Sequence, residues 1–110
     1  MPPKKKTNYI IIFVTASSLK EAKKIAQILL AGKEAACVNI IKNIDSYFNW
    51  KDKLEKAKEF LLIIKTKQNL FEKVKSTVKK YHSYSVPEII AIPVIKGDKS
   101  YLNWVREVTL

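Results

Sequence analysis

One arginine, one cysteine, one histidine and two glycines are all that this 110-residue chain contains of those types. Each scarcity excludes a class of function. The lone cysteine, Cys37, rules out an internal disulfide framework and any CxxC redox or metal motif. Its apolar surroundings suit a reducing compartment. With Arg106 the only arginine, planar two-pronged reading of phosphates or guanine edges is left almost without means. No apolar run approaches the roughly 20 residues of a membrane-spanning helix, so no membrane partner is expected. The run Tyr9 to Val14 behind the basic start is too short for a signal peptide, and the expected location is cytoplasmic.

What is present describes a globular domain: 47% hydrophobic and 28% charged residues, with only two Gly and four Pro to make loops. Regular structure should therefore dominate. Lys and Arg total 21 against 10 acids, a formal net charge of +11. Lysines spread over several solvated faces supply only sequence-independent attraction to phosphates, so nucleic acid is disfavoured as the main partner.

Residues 1–8 read as a flexible basic N-terminal tail and residues 9–110 as one domain. Tyr9 to Thr15 is a β-branched and aromatic run, predicting a strand covered on at least one face. Ser18 with Glu21 has capping-box spacing, and Leu19, Ala22, Ala26, Leu29 and Leu30 recur with helical period. Gly32 stands where a left-handed cap would end that helix. Ala35 to Ile44, extended through Trp50, and a strand from near Leu54 to Thr66 predict a long hairpin turning at Lys51-Asp52-Lys53. Phe71, Val74, Val78 and Tyr81 mark a second helix, with Asn69 or Thr66 as candidate caps. Ile89 to Ile95 reads as a fourth strand, placed at an edge by Pro93, and Asp98 caps a short terminal helix. The order βαβ–βαβ predicts an α+β, ferredoxin-like split βαβ plait with a long hairpin and a short C-terminal helix.

That fold serves many functions, and three of them lack their residues here. The third strand, Phe60-Leu61-Leu62-Ile63-Ile64, is aliphatic and offers no base-stacking platform. Thr15-Ala16-Ser17-Ser18 provides hydroxyls but no arginine or glycine loop for phosphate hydrolysis. The paired cysteines of a soft-metal carrier are absent. Cys37 and His82 remain as a nucleophile–base pair or two metal ligands. Against that, Cys37 also suits a small core hydrophobe and His82 a helix C-terminus. Glu55 and Glu59 read as solvated partners of Lys53, Lys56 and Lys58. Tyr47, Phe48 and Trp50 at the hairpin would be exposed in a monomer, and such patches mark interfaces, which predicts a homo-oligomer.

The segments Ala35-Ala36-Cys37-Val38-Asn39-Ile40, Ser46-Tyr47-Phe48-Asn49-Trp50-Lys51, Glu59 to Thr66, His82-Ser83-Tyr84-Ser85-Val86-Pro87-Glu88-Ile89-Ile90 and Tyr101-Leu102-Asn103-Trp104 together resemble the CutA family of divalent-cation tolerance proteins. The resemblance runs over roughly residues 9 to 105 in order. It implies a homotrimer of plaits with Tyr47, Trp50 and Trp104 at subunit contacts. It also implies a role in tolerance to divalent metals, with weak or transient copper(II) binding through Cys37 and His82. Glu59, Lys65, Tyr84 and Glu88 are the implied interface pocket. The chain departs from the family at Ser85, at Asp52 in the hairpin, and on the first strand, where no cysteine stands. No catalysis is expected. The alternative expectation is a small-ligand or signalling trimer that holds an anionic metabolite between subunits, using Lys65, Tyr84, Ser17 and Ser18.

Overall fold

The computed structural model describes residues 8–110; of the tail expected over residues 1–8, all but Asn8 lies outside them. β1 (Tyr9–Ala16) leads through a tight turn into α1 (Leu19–Ala31), and β2 (Cys37–Trp50) returns into β3 (Lys53–Lys67). A 3-10 turn (Gln68–Leu70) opens α2 (Phe71–Tyr81), followed by β4 (Ile89–Pro93) and α3 (Lys99–Val108). The sheet order is β2-β3-β1-β4 with every neighbour antiparallel, which is the plait that the βαβ–βαβ order predicts. β4 is an edge strand ending at Pro93, so the missing proline N–H leaves no ladder bond unmade.

Alternation along β1 and β3 decides which side becomes the core. Ile12 faces Ile64 and Val14 faces Leu62 across the two central strands, and all four are fully buried. Ala22, Ile25 and Leu29 of α1 and Val74 and Val78 of α2 close over that side. The other side of the same strands carries Ile11, Phe13, Leu61 and Ile63, joined by Ile90 and Ile92 of β4. α3 packs over its Ile11 and Lys65 end, but the remainder has no helix over it among the described residues, and Ile90 is 54% exposed.

Two local expectations are corrected and two are met. Gly32 is the C-cap of α1, but its φ is −83°, and the left-handed residue is Lys33 at φ 56°. The Glu34 N–H bonds Leu29 O at 2.9 Å and the Lys33 N–H bonds Leu30 O at 3.1 Å, a Schellman ending with lysine in the place glycine usually takes. Gly32 is needed for space instead: a Cβ there would stand 2.8 Å from Glu34 Oε2, and Glu34 Oε1 accepts the Thr77 hydroxyl at 2.6 Å. Neither Asn69 nor Thr66 caps α2, because the 3-10 turn feeds the helix directly and no side chain bonds its first turn. Thr66 donates to Glu34 O at 2.7 Å instead. Asp98 does cap α3, accepting the Tyr101 N–H at 3.1 Å. The hairpin turns as expected at Lys51 and Asp52, both with positive φ, the signature of a type I′ turn built without glycine.

Replacing Lys33 by Gly should relieve the left-handed strain and raise stability by about 1 kcal/mol. Gly32→Ala should lower it, since the new Cβ meets the Glu34 carboxylate. Urea unfolding of the two variants checks this. The opposite order would place the strained residue at Gly32.

Candidate functional site

Beside the sheet, where β1 and the hairpin meet the loop after α2, lies a cleft of about 750 Å³. Thr15, Asp45, Ser46 and Glu59 line its floor, Tyr47, Phe48 and Trp50 one wall, and Tyr84 to Glu88 the other. Strand alternation puts Glu59 on the side of β3 opposite the helical core, yet the loop covers it to 6% exposure. That overturns the reading of Glu59 as a solvated partner of nearby lysines. Lys58 pairs with Asp45 at 2.8 Å instead, and its hydrogen bond and charge hold the Asp45 carboxyl below the ordinary range.

The buried Glu59 carboxylate accepts the Tyr84 hydroxyl at 2.8 Å. Burial, then that hydrogen bond, pushes the Tyr84 phenol up to about 12, so it stays a neutral donor near neutral pH. Glu88, on the same wall as Tyr84, is raised as well, first by partial desolvation and then by the negative charge of Glu59. A buried carboxylate with a second one beside it forms a site with affinity for positive charge.

His82 organises the wall that carries Tyr84. Its side chain is fully buried. Nδ1 accepts the Tyr84 backbone N–H at 3.0 Å, which assigns the ring proton to Nε2, the donor to Thr15 O at 2.7 Å. Glu21 Oε1 lies 3.5 Å from Nδ1 and receives no proton in this tautomer. The imidazole therefore staples the loop to the end of β1, and both nitrogens are engaged. Its stacking distance to Tyr84 is 4.9 Å between ring centroids.

The expected residues do not all meet. Glu59, Tyr84 and Glu88 share the cleft, whereas Lys65 lies six positions along β3, roughly 20 Å from Glu59 at the usual strand rise. Lys65 instead donates to Asn39 Oδ1 and lines a crevice of about 280 Å³ under α3. Cys37 is its register partner, and the thiol contacts Asn39 at 3.8 Å. Cys37 and Tyr101 also touch; burial, then Cys37, raises that phenol's pKa. Thr15, which anchors His82, pairs with Leu61, so Cys37 and His82 are offset by four positions along the strands, roughly 13 Å, with β3 lying between the strands that place them. Within one protomer they form neither a nucleophile–base pair nor a shared ligand set. Among the described residues no three His, Cys, Asp or Glu side chains cluster around a common point.

The sequence profile of the CutA1 divalent ion tolerance protein matches residues 10–108. The chain belongs to the CutA1 family. It is 49% identical over 96 residues to the divalent-cation tolerance protein CutA of Archaeoglobus fulgidus, covering 87% of this chain and 93% of that one. The solved CutA1 of Thermus thermophilus superposes with a TM-score of 0.90 at 39% identity, over 92% and 98% of the two chains. CutA1 of Oryza sativa gives 0.92 at 38%, over 94% and 95%. The acidic cleft is where this member concentrates its perturbed side chains. Sequence reasoning missed Thr15 and Glu21 as parts of the site. The only signal for Glu21 was its capping-box spacing, and Ser18 Oγ does accept the Glu21 N–H at 3.1 Å.

Glu59→Gln should lower the pKa of Glu88 toward, but not fully to, the ordinary carboxylate value, because desolvation, the larger cause, remains. Since the raised pKa belongs to the folded state, Glu88 favours folding below its ordinary pKa, and that contribution fades as pH rises through the raised one. Carbon-detected NMR titration of the Glu88 carboxyl reads the shift directly. An unchanged Glu88 would separate the two carboxylates electrically.

Proposed function

We propose that this chain works as a homotrimer in tolerance to divalent metal ions, binding copper(II) weakly or transiently, with no catalytic activity. The uncovered apolar sheet face carries this reading. Ile41, Ile90 and Ile92 are each about half exposed on a side that should be covered in solution. Tyr47 at 65% and Trp50 at 45% exposure on the hairpin, with Trp104 on α3, are the expected contacts to neighbouring subunits. Two further copies of the chain are the occupants that the family resemblance implies for these surfaces.

For the metal, oxygen donors are the ones already assembled: Glu59 and Glu88 across the cleft, with Tyr84 beside them. Two carboxylates fall short of a full coordination shell, so water or a neighbouring protomer completes it, consistent with weak binding. Cys37 offers one soft donor elsewhere. His82 can contribute only by releasing Thr15 O or the Tyr84 N–H. An anionic metabolite would meet two carboxylates in this cleft, and Lys65, its expected counter-charge, lies outside; the cation reading is the better supported. The unpaired Cys37 supports a cytoplasmic setting. The solved Archaeoglobus fulgidus relative is described as periplasmic, so cell fractionation is the check on location.

Native mass spectrometry with stoichiometric copper(II) tests assembly and binding together. The expected spectrum is a trimer that takes up copper, with Glu59→Gln/Glu88→Gln weakening uptake about tenfold or more and Cys37→Ser or His82→Ala changing it less. A copper-free trimer would retain the assembly and remove the metal. Loss of uptake only in the Cys37 and His82 variants would move the ligands there.

A further inference from the structure

Lysines that look dispersed along the sequence are gathered by the fold at one corner. β1 runs into the start of α1 beside the end of α2, so that Ser17 Oγ comes 3.2 Å from Ser83 Oγ across 66 residues of chain. Lys20, Lys23 and Lys24 occupy one side of the first turns of α1, and Lys79 and Lys80 the last turn of α2; all five are exposed. Tyr81 lies between them, with Lys24 Nζ 5.5 Å and Lys80 Nζ 5.4 Å from its ring centroid.

Among the described residues no carboxylate pairs with this cluster. Glu21 is turned inward toward His82, its side chain only 13% exposed. Glu72 sits at the opposite end of α2, paired with Lys75 at 2.8 Å. Among the described residues none of the five lysines has a salt-bridge partner. The α2 C-terminus offsets part of the charge of Lys79 and Lys80, whereas the α1 N-terminus adds to that of Lys20. Like charges at this spacing destabilise the helices that carry them, and a polyanion would reverse that cost.

We propose that this corner binds the phosphate backbone of nucleic acid without sequence preference. Charge complementarity identifies the partner class. A lipid surface would call for apolar side chains to insert, and no large hydrophobic residue is exposed over residues 17–24 or 71–83. The corner has no arginine to read base edges, and both neighbouring ammoniums compete for the Tyr81 ring that a base would stack on. Binding is therefore electrostatic and steeply salt-dependent. The site is separate from the acidic cleft and does not rest on metal binding.

Fluorescence anisotropy of a labelled DNA duplex, read at about 50 and about 200 mM salt, tests the inference. The variant Lys20→Gln/Lys24→Gln/Lys80→Gln should bind about tenfold or more weakly at low salt and lose about 2 to 3 from the log–log salt slope. The hairpin variant Lys51→Gln/Lys53→Gln/Lys56→Gln removes the same charge and should stay within about threefold of the parent. Equal losses in the two variants would reduce the effect to net charge and overturn the site. So would absence of binding at low salt, or preference for vesicles of anionic lipid over the duplex.

Discussion

The register between β1 and β3 is the constraint on which the rest of the molecule depends. Setting Ile12 opposite Ile64 and Val14 opposite Leu62 points those four side chains at α1 and α2. By the same alternation it sends Phe13, Ile63 and Glu59 to the other side. A slip of one residue would bury Glu59 among helices and expose the core. The register is thus both the source of the hydrophobic core and the reason a carboxylate ends up under the loop after α2. It also fixes an apolar face that α3 covers only at the Lys65 end, leaving Ile41, Ile90 and Ile92 about half exposed.

Onto that frame His82 adds one fastening. A helix that ends beside the C-terminal end of β1 leaves a loop whose direction is otherwise free. The imidazole removes that freedom by bonding Thr15 O with one nitrogen and the Tyr84 N–H with the other. Tyr84 is then aimed at Glu59, and Glu88 follows on the same wall. The histidine shapes the cleft by being satisfied and inaccessible, which is the opposite of what a metal ligand needs. Its importance to the site is positional.

Much of this could be read from the residues. The β-branched run of β1, the helical period of α1 and α2, and the edge strand marked by Pro93 are local signals, and they gave the plait with its strand order. The hairpin was legible even without glycine, because Lys51-Asp52 interrupts two apolar segments of matching length. What failed was local geometry decided by tertiary contacts. Gly32 looked like the left-handed cap, but its N–H still bonds Ile28 O, so the helix runs one residue further and the positive φ falls at Lys33. The site was legible only in part. Glu59, Tyr84 and Glu88 meet as the resemblance implied. Cys37, His82 and Lys65 depend on distances along β3 that residue types do not encode, so their separation emerged only with the register.

Charge is segregated by the same architecture. The helix layer presents lysines whose acidic neighbours have been turned inward or drawn to the far end, while the side facing the hairpin holds the buried Glu59 carboxylate and Glu88, whose carboxyl is raised by desolvation and by Glu59. A chain with a net charge of +11 would, if its charges were mixed, repel cations everywhere. Gathering Lys20, Lys24 and Lys80 on the helix layer and pairing Asp45 with Lys58 leaves Glu59 and Glu88 to set the local charge of the cleft. The two regions adjoin, since Ser17 and Ser83 at the corner lie within two residues of Thr15 and Tyr84 in the cleft, so a charge bound at one is felt at the other, and less so as salt rises. A cation held between the carboxylates would therefore add to the pull of the corner on a polyanion rather than oppose it.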